Sequence, residues 1–324
     1  MKRSKLGLAT GLGLSVLSYA ALVGWARRAL VADPPLGQLE SALQSSLAET
    51  GLVATDRYVH TPVGRVHVLL AGQGESTVVV LPGLGASAGD FADLLARLAR
   101  RHLVVAIDLP GGGLSDPIGF RGHPRPAWNE VITAVTDQIG IARFTLVGHS
   151  LGGLAAGGFA IAYPERVERL ILISPVGFSR RVPLSWNLAL APGWLDLLAL
   201  YQRAALSHRG GRSRMESAED RYRRLVGLRL GHASDLATVA RLIQPGGLRP
   251  ESRLLPALGV LSGRVLVVWG SDDRKLPVRD AQPELDYFKG IRLEVVQGAG
   301  HLLPVADPDL TARLITDFVG APRD

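Results

Sequence analysis

In the stretch LVGHSLGG, residues 146–153, Ser150 stands between two glycines at G-x-S-x-G spacing. An apolar run, FTLVGH, precedes it and LGGLAAGGFA follows. Strand, sharp turn and helix in that order hold a serine hydroxyl up at a helix amino terminus, the geometry of a nucleophile elbow. The flanking Gly148 and Gly152 let the turn close without side-chain clashes. A serine hydroxyl attacks only when a base takes its proton, and the base needs an acid to orient it. The candidate base is His301 in QGAGHLLP, just after the last strand-like run, IRLEVVQG. His149 adjoins the serine and is assigned to packing or loop structure instead. For the acid, WGSDDRKLP follows the run RVLVVW and offers Asp272 or Asp273, both at the carboxyl end of a strand.

Such chemistry also needs donors aimed at the oxygen that becomes negative during attack. LPGLGAS, after the run VVV, supplies a glycine-permitted turn presenting the Leu84 backbone N–H. Leu151, next after the serine, supplies a second. A phosphate-binding loop would need a Lys-Ser/Thr ending, which this segment lacks.

The elements that must position these residues are legible as periodicities. TDRYVHT and GRVHVLLAG alternate apolar and polar residues, as half-buried antiparallel strands do. STVVVL, HLVVAIDLP, RFTLVGHS, RLILISP and RVLVVWG are unbroken apolar runs, as strands covered on both faces require. Helical patterns at 39–47, 90–100, 128–139, 151–163, 280–287 and 307–318 separate most of them. Alternation of this kind implies a parallel sheet flanked by helices, with reactive residues at the carboxyl ends of the strands. Residues 178–262 interrupt it with segments such as GWLDLLALYQRAAL and EDRYRRLVGLRL, helices broken by Gly and Pro. The organisation expected is an amino-terminal segment and linker over 1–35, a core over 36–177 and 263–324, and a helical cap over 178–262 standing above the strand ends. Trp186 and Trp194, with Leu188, Leu190 and Leu195, are the cap's candidates for an apolar substrate pocket.

Composition narrows the chemistry further. The 324 residues include no cysteine, which excludes disulfides, thiol nucleophiles and thiolate metal sites. The eight histidines fall into no close ligand spacing, so neither metal nor cofactor is expected. The net charge of +7 is concentrated in two segments, with five basic residues against one acidic in 1–35 and thirteen against six in 178–262. No recognition motif accompanies these basic residues, which argues against nucleic acid as a partner. Residues 6–26 carry no charge between MKRSK and Arg27-Arg28, a length that can just cross a bilayer as a helix. An uncleaved signal anchor is the expectation, with the rest of the chain on the extracytoplasmic side by the positive-inside rule. Cleavage of that segment would make the protein secreted. The basic cap residues Arg221, Arg223 and Arg224 can face an anionic lipid surface or water.

Taken together, LPGLGAS, DLPGGGLSD, LVGHSLGG, WGSDDRKLP and GAGHLLP resemble, in order and spacing, the α/β-hydrolase superfamily across roughly residues 50–320, and within it the cap-bearing serine esterases, carbon–carbon bond hydrolases and haloperoxidase-like enzymes. The resemblance implies an α/β-hydrolase fold, with Ser150 as nucleophile, His301 as base and Asp273 as acid, Asp272 being the alternative. It implies an acyl-enzyme mechanism on a small-molecule ester, lipid-like or medium-chain, without a cofactor. One departure is that Pro82 takes the place where the oxyanion segment usually has histidine. Ser150 itself argues against the relatives with an aspartate nucleophile. Two other functions fit the same residues: carbon–carbon cleavage of a ring-fission dienoate, and non-catalytic binding on the same fold.

Overall fold

A computed structural model describes residues 36–116, 125–178, 258–288 and 290–322, with Ala21, Tyr222 and Val226 besides. Eight strands form one sheet: β1 Ala54–Thr61, β2 Gly64–Ala71, β3 Thr77–Leu81, β4 Leu103–Ile107, β5 Phe144–His149, β6 Val167–Ile173, β7 Val265–Gly270 and β8 Ile291–Val296. Their order across the sheet is β1-β2-β4-β3-β5-β6-β7-β8. The alternating β1 and β2 pair antiparallel, as does β2 with β4, and the others are parallel.

The apolar runs sit where burial on both faces is required. All six residues of β5 are buried, and Val79 lies between Val105 of β4 and Leu146 of β5. Alternate residues feed two cores. Val79 and Leu81 join α3 (Arg125–Ile139), α4 (Leu151–Ala162) and α5 (Val278–Tyr287) on one face. Val78 and Val80 join α1 (Leu36–Thr50), α2 (Ala92–Leu98), α6 (Leu303–Ala306) and α7 (Pro308–Gly320) on the other. The helix expected to begin at Asp90 is split. The Ser87 N–H donates to Asp90 Oδ2 at 2.7 Å, and that bond closes a 3₁₀ turn, Ala88–Phe91, ahead of α2.

Most of the interval 178–262, including Trp186, Trp194, Leu188, Leu190, Leu195, Arg221, Arg223 and Arg224, lies outside the described residues, as does the apolar stretch 6–26 apart from Ala21. Leu258 and Leu261, which the sequence assigns to the end of the cap, are fully buried in the body's core beside α4. Tyr222 is buried and, with Val226 one helical turn later, packs on the α1–α2 side of the body. Among the described residues no helix is long and apolar enough to cross a membrane.

Because β2 neighbours β4, His67 meets Asp108. His67 Nδ1 lies 2.7 Å from Asp108 Oδ2 and Nε2 lies 2.9 Å from Asp56 Oδ1, with the imidazole wholly buried. The Asp108 carboxylate also accepts the N–H groups of Ala88 at 2.6 Å and Leu114 at 2.9 Å, which ties β2 and β4 to the loop after β3. Burial opposes protonation of His67. The charge and hydrogen bond of Asp108, and then those of Asp56, outweigh it, so its pKa stands above the usual value. The stability this supplies is complete below the unfolded pKa of about 6.5 and is lost as pH rises through the raised folded value. Thermal melts between pH 6 and 9 are expected to show the wild type losing stability in a step that His67→Gln lacks; parallel curves would refute the assignment. His67→Leu, which strips the partner from a buried carboxylate, is expected to cost about 3–5 kcal/mol in chemical denaturation.

Candidate active site

Ser150 occupies the turn between β5 and α4 with φ 54° and ψ −114°, one of two non-glycine residues at positive φ among the described residues. That backbone costs on the order of 1–3 kcal/mol and persists only where its surroundings dictate it. Here they do. The Ser150 N–H donates to the Ile173 carbonyl at 2.9 Å, and the Ser150 carbonyl accepts from Val176 at 2.9 Å and Gly153 at 3.0 Å. Gly148 and Gly152 meet backbone so closely that a Cβ on either would overlap a carbonyl: that of Gly152 for the first, those of Leu81 and Pro82 for the second. The start of α4 is thereby pressed against the end of β3.

The same contact brings the loop after β3 beside the serine. Among the described residues, the N–H groups of Leu84 and Leu151 have no backbone or side-chain acceptor. For Leu151 this is what the first residue of a helix leaves open. Gly83, just before Leu84, lies against the serine: a Cβ there would sit 3.1 Å from the Ser150 Cβ. Pro82, in the place of the usual histidine, contributes its carbonyl to the close packing on Gly152.

His301 follows β8 in a loop lodged against the end of β7, where a Cβ on Gly270 would strike the Ala299 and Gly300 carbonyls. Its Nε2 lies 3.2 Å from Ser150 Oγ and its Nδ1 lies 2.7 Å from Asp273 Oδ2. A carboxylate accepts and does not donate, so the proton sits on Nδ1 and the bare lone pair of Nε2 faces the hydroxyl. That is the tautomer a general base needs. Asp273 is 3% exposed, and its Oδ1 accepts from Lys275 at 2.9 Å and Leu276 at 2.8 Å. Burial would favour its neutral form. The hydrogen bond and charge of His301, with the N–H groups of Leu276 and Lys275, prevail and hold the carboxyl below the usual range. Asp272 points elsewhere: it is exposed and accepts the Ser271 hydroxyl at 2.8 Å.

The structure therefore brings Ser150, His301 and Asp273 together, with the turn at Gly83 against the serine, and leaves Asp272 outside; Trp186 and Trp194 lie outside the described residues. His149, beside the serine, is buried and contacts His301, which its place in the sequence does not reveal. A groove of about 670 Å³ lined by Leu52, Val53, Leu70 and Ala99 lies near the amino ends of the strands and includes none of these residues. Side-chain geometry, not concavity, locates the site. Among the described residues no group of acidic or histidine side chains is arranged to hold a metal ion.

Comparison with known proteins agrees with this architecture. The sequence profile of the alpha/beta hydrolase fold matches residues 76–240, half of the chain. The protein belongs to the α/β-hydrolase family. A 2-hydroxy-6-oxononadienedioate/2-hydroxy-6-oxononatrienedioate hydrolase of Klebsiella pneumoniae is 26% identical over 283 residues, 82% of this chain and 96% of that one. A bacterial membrane phospholipase A superposes with a TM-score of 0.70 at 23% identity, covering 98% of each chain. Carboxylesterase CesB of Bacillus subtilis also gives 0.70, at 21% identity, over 88% of this α/β hydrolase and 98% of that chain. At those identities the two structures bear on the fold alone.

Proposed function

We propose that this α/β hydrolase is a serine esterase that cleaves a carboxylic ester through an acyl-enzyme on Ser150. The observation carrying the proposal is the hydrogen-bonded chain from Ser150 Oγ through His301 to the buried Asp273 carboxylate, 3.2 and 2.7 Å. Ser150 Oγ attacks the ester carbonyl as His301 Nε2 takes its proton, and the N–H groups of Leu84 and Leu151 receive the oxyanion. Collapse expels the alcohol, to which His301 returns the proton. Water, deprotonated by His301, then attacks the acyl carbon; the bond from that carbon to Ser150 Oγ breaks, the acid is released, and His301 returns the proton to Oγ. Asp273 keeps the imidazole in the working tautomer and offsets the charge it gains.

The substrate class we propose is a medium-chain or lipid-like ester handled at a membrane surface. The uncharged stretch 6–26, the basic excess in 178–262 and the apolar Trp186 and Trp194 support this reading. In it, residues 6–26 anchor the chain and the catalytic body stands on the extracytoplasmic side. The test is hydrolysis of p-nitrophenyl esters from acetate to palmitate by the full chain, with and without anionic liposomes. The expected result is an optimum at medium to long acyl chains and greater turnover on liposomes. Preference for acetate with indifference to liposomes would refute the lipid-like class. The Klebsiella relative supports a second reading, carbon–carbon cleavage of a dienoate, on the same three side chains. Turnover of such a dienoate with no ester hydrolysis would establish it instead.

A further inference from the structure

Among the described residues, His149 is the one imidazole touching the site that the steps above leave unused. It is 2% exposed. Its Nε2 lies 2.8 Å from the backbone carbonyl of His301, and its ring stands 5.0 Å from the His301 ring, centroid to centroid, and 5.7 Å edge-on from Phe91. A carbonyl can only accept, so His149 carries its proton on Nε2 and donates it to the residue that bears the base. Nδ1 then keeps a bare lone pair, which is buried without a hydrogen-bond partner among the described residues. That side of the ring faces the oxyanion turn: a Cβ on Gly83 would sit 3.0 Å from Nδ1 and 3.1 Å from the Ser150 Cβ. One rigid ring thus touches the His301 loop and the turn that presents Leu84, and its own backbone leads directly into Ser150.

We infer that His149 is a positioning residue, a neutral imidazole whose Nε2–H fixes the His301 backbone so that the His301 ring meets Ser150 and Asp273 together. The inference rests on the Ser150 esterase reading. Its physical basis is that the His149 bond holds the loop at His301 itself, two residues beyond the Ala299 carbonyl that the Asp272 N–H holds at 2.9 Å. A shift of about 1 Å between reacting groups costs on the order of 10²-fold in rate. The 3.2 Å separation of His301 Nε2 and Ser150 Oγ is already at the long end for proton transfer. Neutrality is built in as well: burial first, then the charge of His301 and Lys275, push His149 down to about 3. At the pH of catalysis the ring therefore adds no positive charge beside the imidazolium that forms on His301.

Gln and Met at position 149 have nearly the same shape, and only Gln retains an N–H donor near the place of Nε2. The test compares the rate of Ser150 phosphonylation by a fluorophosphonate, and kcat and KM for p-nitrophenyl butyrate, in the wild-type chain, His149→Gln, His149→Met and His149→Phe. We expect Met and Phe to slow labelling and kcat by about 10- to 100-fold with KM within about twofold, and Gln to recover most of the loss. The Gln–Met pair decides the matter even if Phe does not fold. Equal rates for Gln and Met, at whatever level, would overturn the inference while leaving the esterase reading intact. A wild type that takes no label at Ser150 would overturn both.

Discussion

Ser150→Ala is expected to lower p-nitrophenyl ester turnover by at least about 10⁴-fold while leaving the fold in place. The size of the loss follows from the acyl-enzyme route: without Oγ no covalent intermediate forms, and only the Leu84 and Leu151 amides and the bound geometry still favour reaction with water. The fold survives because the elbow is held by its backbone. The bonds from the Ser150 N–H to Ile173 and from Val176 to the Ser150 carbonyl do not involve the hydroxyl. Alanine at φ 54° carries much the same backbone cost as serine, so the melting temperature should move by only a few degrees. A variant retaining a tenth or more of the wild-type rate would show that another group performs the attack.

The second large effect is expected at Asp273. Asp273→Asn keeps the shape but puts an amide against His301 Nδ1, which stabilises the tautomer with the proton on Nε2, where it cannot serve as a base. The expected loss in kcat is about 10⁴-fold. Asp272→Asn alters an exposed side chain that accepts the Ser271 hydroxyl and should leave kcat within about twofold. Equal losses in the two variants would contradict the assignment. The depressed pKa of Asp273 adds a sign that can be checked. Its contribution to stability is present above the unfolded carboxyl value of about 3.9 and is lost as pH falls through the lower folded value. Acid melts of Asp273→Asn should lack that step.

Much of the site is written locally in the chain. G-x-S-x-G between an apolar strand and a helix determines its own turn, because Gly148 and Gly152 permit contacts that any side chain would block. WGSDD follows the buried strand β7 and GAGH the edge strand β8, and a parallel sheet delivers such residues to one end whatever the strand order. The residues alone left Asp272 and Asp273 both open and the family resemblance put Asp273 first; in three dimensions one side chain faces solvent and the other a histidine on a different loop. The role of His149 was hidden for the same reason. Its partner is a backbone carbonyl 152 residues away, and backbone leaves no mark in the residue types. His67 likewise reads as an ordinary position in an alternating strand. Its buried pairing with Asp108 depends on β4 crossing to lie beside β2, a step that hydrophobic periodicity does not encode. The split at Ala88–Phe91 arose where a cap bond at Asp90 competed with an apolar helical pattern that continues smoothly through it.

The most direct measurement is peptide-mapping mass spectrometry of the full chain after reaction with a fluorophosphonate. A single adduct on the peptide bearing Ser150, abolished in Ser150→Ala and strongly slowed in Asp273→Asn, is the predicted result. No adduct on the folded wild type, or an adduct on another residue that persists in Ser150→Ala, would contradict the account of Ser150 as an activated nucleophile.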